Sequence, residues 1–358
     1  MKQVHCSGDP KEIGRNHGTA ARDQVHGSIS FYSKLFQDKC SMSWDDVTAE
    51  ANKYVAPLQV TCSRYLEEIE GLAEGAGVGF LDVLALNVRT EIMFGLFTDP
   101  NNAANHADIP SDGCTSLGWV DESGQSYLAQ NWDWQSAQGP NLIICHISQP
   151  DTKIPNISMV TEAGIIGKIG FNADGVGCCL NAIRARGVDA TKLPVHFALR
   201  TVLESPSREK AVAQIKALGV AGSAHILVAD HSGSTGLECT PFGVKEISMD
   251  SNKRVYHTNH LVLEHPGVDE PPWLEDSHER LSRIQKLTDT VTTSKVEVRQ
   301  LFEMFKDEEG CPCSINRKQE GISGFQTLFT IIMNLGNGEA LVKFGRPTED
   351  GEEIRLVP

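Results

Sequence analysis

The sequence predicts an α+β fold, and three observations carry that prediction. Helical patterns crowd into the first hundred residues. From residue 115 onward short β-type runs dominate, most of them punctuated by Gly or Pro. The helices that return later lie between blocks of strands. Segregated runs of this kind favour helices layered against antiparallel sheet. No repeat, low-complexity tract or linker separates two cores, so one domain over residues 1–358 is expected.

Glu12 to Phe36 lacks proline and mixes apolar with polar residues, which reads as helix. Ser43 offers an N-cap, with Asp45 and Asp46 in the first turn, where the helix dipole favours negative charge. Leu66, Ile69 and Leu72 recur at a spacing of three, before Gly71, Gly75, Gly77 and Gly79, which are expected to break the helix. Leu81, Leu84, Val88 and Ile92 follow at helical spacing, a stripe expected to pack on a sheet. Residues 98–113 lack periodicity and read as an exposed loop rich in turn formers. Strands are predicted at Thr115–Val120, Ser126–Trp132, Leu142–Ser148, Ile157–Thr161 and Lys168–Asn172. Two helices follow, His196–Leu203 and Pro206–Leu218. The second has Ser205 as N-cap, Pro206 at the first helical position, and Val212, Ile215 and Leu218 facing inward. Strands resume at His225–Asp230, Gly236–Cys239 and Val244–Ile247. Helices then start at Ser277 and Lys295, the latter opened by a Ser294-x-x-Glu297 capping box. Thr327–Asn334 and Glu339–Phe344 finish the chain as strands.

Composition narrows the function. Of 358 residues, 40% are hydrophobic and 22% charged, a globular balance that excludes wholesale disorder. The formal charge of −15 is a poor match for nucleic acid or an anionic membrane surface. The most apolar stretch, Leu81 to Phe97, is interrupted by Asp82, Arg89 and Glu91, so no membrane span is expected. Met1 to Pro10 has no apolar segment of the kind a secretory signal needs. The ten cysteines are therefore expected to be free thiols rather than a disulfide framework, and one of them is a candidate reactive thiol.

Several motifs carry no chemistry of their own. Gly75-x-Gly77-x-Gly79 and the glycines 164, 167 and 170 match neither a dinucleotide fingerprint nor a P-loop, and read as turns and close packing. Cys311-Pro312-Cys313, Cys178-Cys179 and the pair His257 and His260 lack the further ligands of a closed metal site, so no metal is expected. Asp112-Gly113-Cys114-Thr115 is different. A thiol follows an Asp-Gly turn at the junction of a polar loop and the first strand after it. A Cys there can attack the carbonyl before it and cleave its own peptide bond, and glycine before the thiol leaves the path of attack open. Cleavage would leave Cys114 with an α-amine, a group that ordinarily titrates near pH ~8, and so place nucleophile and general base on one residue. A plain turn before a strand with a buried Cys explains the same tripeptide.

Further motifs run nearly end to end. They are Gly8-x-Pro10-x-Glu12-Ile13-Gly14-x-x-His17-Gly18, Leu86-Asn87-x-Arg89-Thr90-Glu91 and Gln130-Asn131-Trp132-Asp133. Glu162-Ala163-Gly164-Ile165-Ile166-Gly167-Lys168, His257-Thr258-Asn259-His260 and Gly345-Arg346-Pro347-Thr348 follow. In order and spacing the sequence resembles the acyl-coenzyme A:6-aminopenicillanic acid acyltransferases, self-cleaving N-terminal-nucleophile hydrolases with an αββα fold. The resemblance implies cleavage between Gly113 and Cys114, giving associated fragments 1–113 and 114–358. It implies Cys114 as nucleophile, Asp133 beside the α-amine, Asn259 as an oxyanion-hole amide and Arg317 near the nucleophile. Thr115, Ser223 and Ser314 align with hydroxyls that contact substrate in the family.

The implied reaction moves an acyl group from acyl-CoA to a β-lactam amine through a Cys114 thioester, with amidase side activity. Acyl-CoA is then a substrate, and no cofactor is expected. The partners are small molecules and the chain's own two fragments, not nucleic acid or membrane. The family's penicillin-pathway members end in a peroxisomal tripeptide. Arg355-Leu356-Val357-Pro358 departs from it, so a cytoplasmic location is expected and a penicillin role is weakened. Two alternatives stand beside this reading: an N-acyl amide hydrolase with water as acceptor, and a non-enzymatic binding protein. Cys114 and Asp133 together argue against the second.

Overall fold

The computed structural model describes residues 1–95, 113–271 and 274–358. A short strand opens the chain, β1 (Lys2–Ser7), and seven helices follow. These are α1 (Pro10–Ala20), α2 (Arg22–Cys40), α3 (Trp44–Asn52), α4 (Val55–Thr61), α5 (Ser63–Ala76), α6 (Phe80–Asn87) and α7 (Arg89–Gly95). Asp9 caps α1 with a reciprocal Glu12 bond and Pro10 at the first position. Ser43 caps α3 as expected.

Three expectations fail among these helices. The single helix over Glu12–Phe36 is two, broken at Ala21 (φ −111°, ψ 29°) with neither Gly nor Pro as signal. Gly71 and Gly75 lie inside α5 rather than ending it; Gly77, left-handed at φ 71°, is the cap. A Cβ on Gly71 or Gly75 would fall 2.0 Å from Lys11 O or 2.4 Å from Arg15 O. One on Gly14 or Gly18 would meet Glu68 O at 1.8 Å or Leu72 O at 2.2 Å. The four glycines let the α1 and α5 backbones touch. Leu84, Val88 and Ile92 of the predicted stripe are buried and Leu81 partly so, but they pack chiefly among helices, not on a sheet.

The predicted loop at 98–113 lies outside the described residues except for Gly113, which already belongs to a strand. That strand is β2 (Gly113–Val120), and β3 (Ser126–Trp134), β4 (Leu142–Ser148), β5 (Ile157–Glu162), β6 (Ile169–Asn172) and β7 (Gly177–Ala182) follow. Next come α8 (Val195–Leu203), α9 (Arg208–Leu218), β8 (Ala224–Asp230), β9 (Gly233–Thr240), β10 (Gly243–Ile247) and β11 (Arg254–His257). The chain finishes with α10 (Asp276–Asp289), α11 (Val298–Phe305), β12 (Gln326–Asn334), β13 (Glu339–Phe344) and β14 (Glu353–Leu356). Strands β1, β7, β11 and β14 have no counterpart among the strands expected from sequence.

Two helix starts move. Ser207, not Ser205, caps α9, because its Oγ accepts from Lys210 N at 3.2 Å. The Ser205 hydroxyl instead donates to Thr201 O at 2.8 Å. Leu218 is an exposed apolar residue rather than an inward one, and Ala211 takes the buried place. Glu297, not Ser294, caps α11 through a box with Gln300.

Eight strands form one sheet in the order β1-β4-β5-β6-β7-β8-β9-β10, with β1 parallel to β4 and every other pair antiparallel. Six form a second, wholly antiparallel sheet, β11-β2-β3-β12-β13-β14. Strands β2 and β3 face β7, β8 and β9, so the sheets stack face to face. Helices α8 and α9 cover the outer face of the first sheet, and α10 and α11 that of the second. The result is the four-layer αββα arrangement. Every residue of β2 and β3 is buried, because these strands sit between a sheet and a helical layer. One hydrophobic cluster runs from Val4 to Leu356 and joins residues on both sides of Gly113–Cys114. Among the described residues no helix is long and apolar enough to cross a membrane.

Candidate active site

Strand β2 begins at Gly113, and its ladder with β3 sets Gly113 opposite Asp133 and Cys114 opposite Trp132. A Cβ on Gly113 would lie 2.7 Å from the Phe325 ring, 2.9 Å from Asp133 Oδ2 and 3.2 Å from Arg317 Nε. Only glycine fits there.

The Gln130-Asn131-Trp132-Asp133 motif shows why these residue types are needed. Gln130 Oε1 accepts from Leu180 N at 3.0 Å, tying β3 to β7 of the other sheet. Asn131 Nδ2 donates to Phe305 O and Ile315 O, both at 2.9 Å, tying β3 to the outer helical layer. Buried amides of this kind cross-link layers when fully bonded. Trp132 fills the space between Lys168, whose Nζ is 3.8 Å from its ring centre, and Phe329.

Asp133 is fully buried. Its Oδ1 accepts from Thr327 Oγ1 at 2.7 Å, and among the described residues its Oδ2 has no hydrogen-bond partner. Arg317 Nε stands 3.7 Å from Oδ2, an ion pair without a hydrogen bond. Burial pushes the Asp133 carboxyl up to about 6, against the opposing pull of Arg317 and Arg280. A register shift in β12 between Thr327 and Phe329 sets Thr327 opposite Asp133. Such bulges re-aim side chains beside sites.

Asn259 arrives from the segment after β11. Its Oδ1 accepts from Cys114 N at 2.9 Å, and its Nδ2 donates to Ala182 O at 3.0 Å. The His257-Thr258-Asn259-His260 motif is largely a scaffold for it. His257 Nε2 and His265 Nε2 bond Glu238, which also accepts from Val262 N and Leu263 N. Ser277 Oγ accepts from Asn259 N at 2.8 Å. Among the described residues no group of three or more His, Cys, Asp or Glu side chains could hold a metal.

The structure therefore brings Gly113, Cys114, Thr115, Asp133, Asn259 and Arg317 together. Among the described residues it shows no bond from Ser223 or Ser314 to them. The Ser314 hydroxyl donates to Asn316 O at 2.7 Å, and that of Ser223 is buried with no partner among the described residues.

Two site residues carry no signal in the sequence. Arg280 donates to Cys114 O at 2.6 Å, Thr115 Oγ1 at 3.2 Å and Asn259 Oδ1 at 2.9 Å. Asp276 Oδ2 accepts from Arg280 Nε at 2.7 Å and also from Arg317. An i,i+4 Asp–Arg pair on a charged helix reads as a solvated face, so nothing local shows that Arg280 is buried.

The family model of acyl-coenzyme A:6-aminopenicillanic acid acyl-transferase matches residues 119–349. The chain is 36% identical, over its whole length and 96% of the relative's, to the acyl-coenzyme A:6-aminopenicillanic-acid-acyltransferase 40 kDa form of Emericella nidulans. A solved mutant of conjugated bile acid hydrolase from Clostridium perfringens shares the fold. Its TM-score is 0.50 at 13% identity, over 68% of this chain and 92% of that one. With this fold and this match, the chain is an acyltransferase belonging to the acyl-coenzyme A:6-aminopenicillanic acid acyl-transferase family.

Proposed function

We propose that the protein activates itself by cutting Gly113–Cys114 and then transfers acyl groups through Cys114. In the first step the thiol attacks the Gly113 carbonyl, the peptide C–N bond breaks and the released nitrogen takes the proton. Water then hydrolyses the thioester, freeing the thiol and a Gly113 carboxylate. The observation that carries this reading is the junction itself: a glycine that admits no side chain, followed by a buried Cys whose nitrogen and carbonyl are both held by side chains.

In turnover the α-amine takes the thiol proton as sulfur attacks an acyl-CoA, and CoA leaves as the protonated thiol. An amine then displaces Cys114 from the thioester; such an intermediate keeps enough reactivity for that. The Asp133 carboxylate stabilises the protonated α-amine, and Arg317 holds that carboxylate. Asn259 is assigned to the oxyanion through its Nδ2 end, a donor worth about 3–4 kcal/mol in the transition state. Thr115 belongs to the same cluster through Arg280, and of the two serines Ser223, whose hydroxyl has no hydrogen-bond partner among the described residues, is the one left able to bind substrate.

The E. nidulans relative's name points to acyl-CoA as donor and the amine of 6-aminopenicillanic acid as acceptor. The fragments stay together through buried pairs such as Arg89–Glu162 and Glu68–Arg200, which cross the cut. The test measures CoA release from an acyl-CoA with and without 6-aminopenicillanic acid. Release that rises with the amine, with N-acyl product, is expected. Release that ignores it would assign water as acceptor and sink the transferase reading for this amine.

A further inference from the structure

The two ends of the Asn259 amide are chemically opposite, and its orientation decides what it does at Cys114. One end lies 2.9 Å from Cys114 N and 2.9 Å from an Arg280 guanidinium nitrogen. Both are donors, and arginine has no acceptor, so the atom between them is the amide oxygen. The other end lies 3.0 Å from the Ala182 carbonyl, which only accepts, and is therefore the NH2. In the uncut chain the Cys114 amide N–H helps fix this polarity. Once the bond is cut, Cys114 N is an amine with both N–H groups and a lone pair, and it can meet either end.

We propose that Arg280 is a positioning residue that keeps the Asn259 oxygen toward the Cys114 nitrogen after cleavage. This rests on the reading of Cys114 as nucleophile. With Oδ1 toward it, the amine donates an N–H and its lone pair stays available for the thiol proton. With the amide reversed, an Nδ2–H would donate into that lone pair and compete with the thiol. Asn259 would then mask the base beside it.

Arg280 is built for such a clamp. It is 2% exposed, and its planar fork is held at Nε by Asp276 and at one terminal nitrogen by Cys114 O and Thr115 Oγ1. The other terminal nitrogen meets Asn259 Oδ1. Asp276 also takes Arg317, so the clamp extends to the Asp133 side of the site.

The test follows acylation of Cys114 by a short-chain acyl-CoA in wild type, Arg280→Met and Arg280→Lys. Intact mass and peptide mapping give the rate across thioester concentrations, normalised to the cleaved fraction, and thermal melting reports folding. Methionine keeps a long apolar stem without donors. A lysine ammonium cannot span Cys114 O and Asn259 Oδ1 as two guanidinium nitrogens do. The maximal rate is expected to fall roughly 100-fold for Met and about 10-fold for Lys, with half-saturation within about twofold. Either folded variant acylating within about threefold of wild type would overturn the proposal, as would a loss carried by half-saturation alone. Failure of both variants to be cut would also overturn it, because the clamp would then act before the amine exists. A cleaved wild type that never acylates at Cys114 would remove instead the reading on which it rests.

Discussion

Glu162 and Asp133 are both carboxylates buried to zero exposure, yet their surroundings drive them in opposite directions. Around Glu162, Arg89 Nη2 at 2.7 Å and Lys168 meet one oxygen, and Tyr32 and Gln138 Nε2 at 3.1 Å meet the other. Burial alone would push its carboxyl up, but the two cations hold it well below the usual carboxylate range. Asp133 has one hydroxyl donor, a bare oxygen and a guanidinium at 3.7 Å, and burial wins. The first acid is satisfied and joins residues on both sides of Gly113–Cys114. The second is left poorly satisfied where a new ammonium would appear. On the proposed reading, a buried charge that stabilises and a buried charge that would serve chemistry differ here in the number of partners, not in depth.

Glu162→Gln should break the first half of that contrast. It leaves Arg89 and Lys168 buried without their counter-charge, a change that costs about 3–5 kcal/mol. Denaturant unfolding of the purified protein reads it directly, and a loss below about 1 kcal/mol would mean the network is not holding the layers together.

Asp133→Asn should do the reverse. Acyl transfer should fall by roughly 100-fold or more, since a charged partner of the base is lost. In the uncut Cys114→Ala background, where no α-ammonium faces Asp133, the same substitution should nonetheless raise the unfolding temperature at pH 7. A carboxyl raised from 3.8 to about 6 penalises the ionised native state by about 3 kcal/mol, an upper figure before relaxation. The sign sets the pH window. This acid's favourable contribution is complete below pH 3.8 and is lost as pH rises through about 6. The stability gap between the uncut proteins with and without Asp133→Asn should therefore widen from pH 4 to pH 7, and a gap independent of pH would contradict the raised pKa.

Gly113→Ala tests the junction between the two regions. The added methyl meets Phe325 and Asp133 inside 3 Å, so the chain should lose about 1–3 kcal/mol and accumulate as uncut precursor. Normal cleavage on a denaturing gel would show that the site tolerates a side chain. Ser314→Ala should matter least. Its hydroxyl serves one backbone carbonyl, so about 1 kcal/mol of stability is at stake and turnover should stay within about threefold.

Much of this was legible in the chain. The capping residue Ser43 and the short β-type runs mark local structure, and the Asp-Gly-Cys junction marks a reactive place without any fold. What stayed hidden is tertiary in origin. Gly71 and Gly75 look like helix breakers until the neighbouring helix supplies the reason for them. Strand β1 is short and polar on one side, and pairing with β4 makes it a strand. Arg280 reads as a solvated residue because nothing within four residues tells of the strand it reaches. Long-range partners decide these cases, and local spacing does not encode them.

Whether the Gly113–Cys114 bond is cut is read by intact mass under denaturing conditions for purified wild type and Cys114→Ala. Self-cleavage gives two masses for wild type, those of residues 1–113 and 114–358, and one full-length chain for the variant. A wild type that stays whole while transferring acyl groups would contradict it.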